Sequence, residues 1–141
     1  MKISSTILCV MILTISLKSQ DSSTVQTETL SKSAVSWDGK VLPAYETGVS
    51  EITILKITIP PGARLPMHKH SFINVGMVLK GELTVVTEGN KTIHLKAGES
   101  LIEVVNTWHY GKNEGSTSLE IVVFYAGIQD KPITIKKEET K

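Results

Sequence analysis

The sequence predicts an all-β domain that folds as a sandwich or a barrel. Short runs rich in Ile, Val and Thr recur after Trp37, and Gly, Pro or Asn separates each run from the next. Residues of these types favour strands, and no run has a helical period long enough to compete. Six runs are predicted as strands and a seventh is a weaker candidate: 51–59, 73–80, 83–88, 91–96, 100–105 and 118–126, and then 132–136.

The turn residues support the same fold. Gly89 and Asn90 separate two predicted strands, and both tolerate the positive φ that a tight hairpin needs. Residues 60–63 (PPGA) and 96–99 (KAGE) are typical of tight turns. Gly81 interrupts a long apolar ribbon, so we expect the chain to bend there.

Two of the predicted strands are apolar on both faces. They are residues 73–79 (INVGMVL) and 118–126 (SLEIVVFYA). One face of each can line a barrel, and the other needs cover from a second layer or another subunit. We therefore expect a homodimer.

Residues 1–20 are predicted to be a secretory signal peptide. Lys2 is followed by an apolar run from Ile7 to Ile15 and then by small and polar residues. The run is too short to span a bilayer as a helix. We expect cleavage near Ser19 or Gln20 and an exported protein, periplasmic or secreted. The alternative is an N-terminus that is disordered or lies at a membrane interface.

Removal of this segment leaves 13 basic and 14 acidic side chains, a formal charge of −1. Such a chain has no basic field to attract nucleic acid, and no membrane partner is expected once the signal is removed. The only cysteine, Cys9, lies inside the apolar run. The mature protein therefore contains neither disulfides nor thiolate metal ligands.

The remaining chain divides into a leader and one domain. Residues 21–36 are rich in Ser, Thr and Gln, which indicates a flexible leader. The alternative is an edge strand that orders on a partner. Residues 37–141 are predicted to form one barrel with a core at about 50–127.

Histidines provide the first candidate for chemistry. If residues 68–74 are extended, His68, His70, Phe72 and Asn74 share one face. Imidazoles on alternate residues can converge on one metal ion. His109, in the segment NTWHYGKN, is expected to close the site from the opposite sheet.

The spacing of these residues resembles the two sequence motifs of the cupin family. The first motif falls on Gly62, His68, His70, Asn74 and Gly81, and the second on Gly98, Val104, Asn106, His109 and Asn113. With the flanking strands the resemblance extends over about residues 50–127. Three positions depart from the motifs. Asn74 stands in place of a glutamate, while Val104 and Asn106 stand in place of a proline and a glycine.

The resemblance implies a double-stranded β-helix, the jelly-roll barrel of the cupins, with a metal near one mouth. It also implies a divalent ion held by His68, His70 and His109, with Asn74 as a weak fourth ligand. Imidazoles suit Fe, Zn, Ni or Cu, and Mn is a further candidate, so the identity of the ion is open.

Without the glutamate, the protein ligands do not compensate the charge of the ion. Asn74 offers only a weak carbonyl oxygen or a hydrogen bond to a bound water. We expect the open positions to attract a small polar or anionic molecule. Some cupin oxygenases also use three histidines, so the resemblance does not imply that activity is lost.

Four further residues are candidates for the pocket. Glu103, which interrupts LIEVV, is the candidate catalytic acid, as a proton acceptor or a partner of a histidine. The alternative is a carboxylate that faces solvent or an interface. Phe72, Trp108 and Tyr110 are expected to wall an apolar pocket, with an ordinary place in the core as the alternative.

Three functions remain open. The first is a metal-dependent enzyme, an oxygenase or an isomerase acting on a small polar or anionic compound. The second is a non-catalytic module that binds a small ligand, and the third is a structural barrel that has lost its metal. The three histidines argue against the third. The orientation of Glu103 separates the first two, because catalysis needs a proton donor or acceptor near the substrate.

Overall fold

The computed structural model describes residues 24–138. The predicted signal peptide, residues 1–20, lies outside the described residues. Nine strands follow one another along this part of the chain: β1 (Ser50–Ile59), β2 (His68–Lys69), β3 (Asn74–Lys80), β4 (Glu82–Thr87), β5 (Thr92–Lys96), β6 (Ser100–Ile102), β7 (His109–Lys112), β8 (Leu119–Ile128) and β9 (Ile135–Lys136).

The strands form two antiparallel sheets that face each other. One sheet has the order β1-β8-β3-β6, and the other has the order β5-β4-β7-β2-β9. The predicted all-β double-stranded β-helix is confirmed. β7 was not predicted, and β2 was considered only as part of an extended segment at 68–74, because neither segment shows the alternation or the β-branched residues that mark the other strands.

The core lies between the two sheets. Inward residues of β3, β4 and β8 alternate with outward ones, as strand geometry requires. Val78 and Leu119 are fully buried, and eight further residues complete the apolar cluster: Ile59, Leu83, Val85, Leu95, Leu101, Ile121, Val123 and Tyr125. Gly76 lies on the inward face of β3, where an added Cβ would approach Leu101 to 2.9 Å.

The bend expected at Gly81 joins β3 to β4. Its φ is +78°, and an added Cβ would lie 3.0 Å from the Cα of Leu119. Both the backbone angle and the space therefore require glycine. In the next hairpin, Asn90 is the residue that adopts positive φ, at 60°.

The outer face of the four-stranded sheet is apolar and exposed. Ile52, Ile54, Val75 and Phe124 are 40–63% exposed on three adjacent strands. This is the face for which a second subunit was expected, and the homodimer stays a prediction. Ser31 of the leader lies at the edge of this sheet, where its hydroxyl is 2.8 Å from that of Ser100 on β6. Within the described residues, no helix is long and apolar enough to cross a membrane.

Candidate metal centre

Three imidazoles converge at one end of the barrel. The candidate ligand nitrogens of His68, His70 and His109 all lie within 4.8 Å of one another. The ring centroids are 4.5 to 5.1 Å apart. The three residues are at most 9% exposed. The structure therefore brings together the histidines that the motif spacing selected.

The register of the strands explains this convergence. His68 on β2 lies directly opposite His109 on β7, and His70 follows two residues after His68 on the same face. The expectation that His109 closes the site from the opposite sheet was wrong. β2 and β7 are neighbours in the same sheet. The opposite sheet supplies Asn74 instead.

Hydrogen bonds to main-chain carbonyls orient all three rings. The Nδ1 atoms of His68 and His109 donate to the carbonyls of Pro66, at 2.7 Å, and Thr107, at 2.9 Å. Nδ1 of His70 donates to the carbonyl of Ile133, at 2.8 Å. A carbonyl can only accept, so each ring carries a proton on Nδ1, and in the neutral ring the lone pair is then on Nε2. Such outer contacts fix the tautomer that a metal ligand needs.

Burial also keeps two of the rings neutral. It lowers the pKa of His68 and lowers that of His70 to about 3, although their carbonyl partners act in the opposite direction. The positive charge that neighbouring histidines would carry lowers both values further. Neutral imidazoles are the form that binds metal, so no proton has to leave these two rings at neutral pH.

Asn74 lines the same cavity from β3 and is 2% exposed. Its amide nitrogen donates to the carbonyl of Phe72 at 3.3 Å. The amide oxygen is then the atom that remains for an ion or a bound water. An amide carries no charge, so position 74 does not compensate a divalent ion.

Glu103 points into the cavity. It follows β6, and its main-chain nitrogen donates to the carbonyl of Asn74 at 3.0 Å, so the two residues are neighbours across the sheet. Its Oε2 lies 3.8 Å from Nε2 of His109, and the residue is 9% exposed. In this chain the carboxylate therefore faces the cavity and not solvent.

The other oxygen of Glu103 is anchored. Oε1 accepts hydrogen bonds from the indole of Trp37 at 2.7 Å and from the main-chain nitrogen of Val104 at 2.8 Å. Sequence reasoning missed the role of Trp37, since 66 residues separate it from Glu103. No local pattern signals such a contact.

The cavity is small and mostly apolar. Its volume is about 50 Å³, and the three histidines, Asn74 and Glu103 are joined in its lining mainly by aliphatic side chains. A wider recess of about 180 Å³ lies beside it and is also lined by His68 and His70. Lys136 lies at this recess and brings a positive charge to it.

The three aromatic residues expected to wall the pocket lie elsewhere. The chain bends at residues 71–72, and Phe72 is buried in a separate pocket beside Tyr45. Trp108 packs under the ammonium of Lys69, and Tyr110 under the guanidinium of Arg64. Tyr110 neighbours His109 along the same strand, so its side chain points to the other face.

Tyr125 is the aromatic residue at the site. Its ring centroid lies 5.2 Å from that of His70. Burial, reinforced by the negative charge of Glu103, raises the pKa of its phenol. Its position could have been predicted from the alternation of β8, which places it on the same face as Val123 and Ile121.

The residues fit a divalent ion. Three Nε2 donors converge in a site that is oriented before any ion binds, and imidazole suits Zn, Cu, Fe and Ni. The turn before His109 tolerates its departures from the motif. Asn106 adopts φ of 51° where the motif has glycine, and asparagine accepts this conformation better than most residues. Val104 is fully buried.

The fold and the histidine cluster define a small β-barrel protein with a candidate metal site. The family model described as "Cupin domain" matches residues 55–125, half of the chain. The chain belongs to the cupin family.

One curated relative is auxin-binding protein 1 of Arabidopsis thaliana. The two are 34% identical over 96 residues, which cover 62% of this chain and 47% of the relative. The chain therefore spans about half the length of the relative it matches.

Solved structures share the fold. The DMSP lyase DddQ of Ruegeria pomeroyi superposes with a TM-score of 0.53 at 18% identity, covering 60% of this chain and 42% of the other. A double-stranded β-helix protein of Klebsiella pneumoniae superposes with a TM-score of 0.52 at 23% identity, covering 68% of this chain and 81% of the other. An RmlC-like cupin of Methanocaldococcus jannaschii gives 0.50 at 26% identity, covering 62% and 89%.

Proposed function

We propose that this cupin binds a divalent metal ion through Nε2 of His68, His70 and His109. We further propose that a small anionic compound binds at the remaining positions of the ion. The observation that carries the proposal is the set of three Nδ1–carbonyl hydrogen bonds. In the neutral rings these bonds leave the lone pairs of all three Nε2 atoms free to bind a metal ion in one small space. Cupins commonly bind small molecules.

Charge favours an anion. The candidate ligands at the motif positions are three neutral imidazoles and the amide of Asn74. None of them carries a negative charge, so they do not compensate the two positive charges of the ion. Lys136 adds a positive charge at the adjacent recess. The aliphatic lining suits a ligand whose charged group meets the ion and whose remainder is small and apolar.

The inward Glu103 favours an enzyme, an oxygenase or an isomerase, over a pure binding module. A bound ion would polarise the oxygen of a coordinated ligand. Among the described residues that line the cavity, Glu103 is the only carboxylate. In this proposal Oε2 accepts a proton from the ligand and returns it to another atom of the ligand, and its distance of 3.8 Å from Nε2 of His109 supports that role.

The second candidate is a module that captures its ligand without turning it over. Two observations support it. The enclosed part of the cavity is small, at about 50 Å³. The curated relative carries a name that describes ligand binding rather than a reaction.

Metal analysis is the first test. We expect about one Fe, Zn, Ni, Mn or Cu ion per chain in protein purified without a histidine tag, and loss of that ion in His109→Ala. His94→Ala is the matched control, because His94 lies on β5 and contacts Thr84 instead. Absence of metal after reconstitution with each ion would contradict the proposal.

Turnover separates the two candidates. The loaded protein is incubated with small carboxylates, with and without dioxygen, and products are analysed by mass spectrometry. Turnover that disappears in Glu103→Gln while the metal stays bound supports the enzyme. Binding without turnover, unchanged in that variant, supports the module.

We also propose export through removal of residues 1–20. The sequence layout of this segment supports the proposal. N-terminal sequencing of the protein from its native source should begin near residue 20. A mature chain that begins at Met1 would contradict it.

A further inference from the structure

The carboxylate of Glu103 is held on one side and free on the other. Oε1 accepts two hydrogen bonds, from Trp37 and from the main chain of Val104. Within residues 24–138, Oε2 has no hydrogen-bond partner, and Nε2 of His109 lies 3.8 Å away from it. Among the described residues, no fully buried side-chain oxygen lacks a hydrogen-bond partner, so Oε2 keeps access to the cavity and can accept a hydrogen bond from a molecule there.

Trp37 is itself fixed by the barrel. Its main-chain nitrogen donates to the carbonyl of Ile102 at 3.0 Å, next to Glu103 in sequence. Ser36 and Asp38 on either side of it are buried and joined by a hydrogen bond of 2.6 Å. Trp37 also lies outside the segment that matches the family model. The indole therefore gives Glu103 a hydrogen bond that the matched segment does not supply.

We propose that Glu103, positioned by Trp37, is a fixed hydrogen-bond acceptor that selects the ligand of this site. The selected class is monoanionic carboxylates that carry an O–H or N–H donor next to the coordinating group. This inference rests on the proposed function, because it requires an ion held by the three histidines.

Two physical features define that class. The first is charge within the cavity, whose lining holds no lysine or arginine. There the ion's two positive charges and the one negative charge of Glu103 leave one positive charge for the ligand, while Lys136 lies at the adjacent recess. A monoanion is then neutralised, whereas a dianion meets repulsion from Glu103. The second is the free Oε2, which accepts a hydrogen bond from a donor beside the coordinated group and receives none from a plain carboxylate.

The experiment uses the full mature chain loaded with Co²⁺, whose visible absorption reports changes at the ion. Three probes are titrated: glycolate, a monoanion with an adjacent hydroxyl; acetate, a monoanion without one; and oxalate, a dianion. They are compared in the wild type, Glu103→Gln and Trp37→Phe. The matched controls are Glu120→Gln, which alters a surface ion pair with Lys56, and Trp108→Phe, which alters the outward-facing indole.

We expect Glu103→Gln to reduce the preference for glycolate over acetate by about tenfold, the scale of a hydrogen bond to a charged group. The same substitution should increase the affinity for oxalate by a similar factor. Trp37→Phe should lower the preference for glycolate over acetate and raise the affinity for oxalate, each by about threefold. The carboxylate remains in this variant but loses one of its two hydrogen-bond donors. Both controls should match the wild type.

The ratios of the affinities for glycolate, acetate and oxalate distinguish ligand selection from damage to the fold. A merely structural role of Glu103 would change the affinities for all three probes by the same factor. Equal shifts for the three probes in Glu103→Gln, or no shift in Trp37→Phe, would overturn the inference. If no anion alters the spectrum of the wild type, the proposed function itself fails. If Glu103→Gln does not fold, Glu103→Asp tests the acceptor alone, since the shorter side chain keeps the charge and withdraws the oxygen. It should lower the preference for glycolate over acetate, and an unchanged preference would overturn the inference.

Discussion

The two ends of the barrel interior differ in chemistry although the same strands build both. β3 begins with Asn74 at the histidine end and reaches Val78 at the other end. β8 runs in the opposite direction, from the buried Leu119 to Tyr125 beside His70. One end is closed by aliphatic packing, and the other holds three imidazoles, an amide and a carboxylate.

The aliphatic end stabilises the fold, whereas the polar end costs free energy of folding. Burial of aliphatic side chains stabilises the fold by about 25 cal/mol per Å². Burial of ionisable groups costs free energy, and hydrogen bonds offset only part of it. At the polar end the histidine and glutamate contacts provide that offset. Substitutions at the aliphatic end should therefore lower the stability of the fold, and substitutions at the polar end should lower the affinity for metal.

The largest expected effect is at the polar end. His70→Ala should weaken metal binding by more than about a hundredfold, because two imidazoles remain and the loss exceeds that of an outer hydrogen-bond partner. Competition with a chromogenic chelator measures this, with His94→Ala as control. Unchanged metal content together with unchanged thermal stability would show that the site is not the one described.

Acid should act on the polar end next. The folded pKa of His70, about 3, lies below its unfolded value of 6.5, and that of His68 is lowered as well. Protons therefore bind the unfolded chain first, and the metal-free protein should lose stability as pH falls from about 6.5 towards 3. The loss attributable to His70 is at most about 5 kcal/mol.

Urea unfolding of chelator-treated protein at several pH values measures this loss. In His70→Ala the pH dependence should be shallower over the same window. An identical slope in both proteins would contradict the assignment.

At the apolar end, Leu119→Ala should cost about 3 kcal/mol of unfolding free energy, because Leu119 is fully buried and leaves a cavity. Its metal affinity should stay within about twofold of the wild type, since the ligand set is untouched. Denaturant unfolding and chelator competition on one preparation provide both values. A large loss of metal affinity would show that the two ends are coupled.

The smallest expected effect concerns position 74. Asn74→Glu should bind the ion about tenfold tighter and anionic ligands more weakly, because it adds a carboxylate to the site. Asn74→Gln is the control, as it lengthens the side chain without adding charge. Equal metal affinity in the wild type and Asn74→Glu would show that this position does not reach the ion.

Much of this architecture could be predicted from local sequence. Strands at residues 51–59 and 118–126 agree with β1 and β8, since alternation and β-branched residues act within one segment. The bend at Gly81 was predictable for the same reason. Motif spacing also selected His68, His70 and His109 before their geometry was known.

Other features depend on contacts between distant segments. The two-residue β2 exists as a strand only through pairing with β7 and β9. The neighbourhood of His109 depends on sheet order, which alternation within a strand does not encode. The bend at residues 71–72 removes Phe72 from the face that a continuous strand would have given it.

The sequence by itself determined an all-β cupin barrel, most of its strands and turns, and the three candidate ligands, because periodicity, turn residues and motif spacing are properties of short segments. Only the tertiary structure decided that Glu103 faces the cavity, that Trp37 anchors it, and that Ile133 orients His70 from 63 residues away. These contacts form between segments that fold back on one another. Their partners are set by the packing of two sheets, and no single stretch of the chain specifies them.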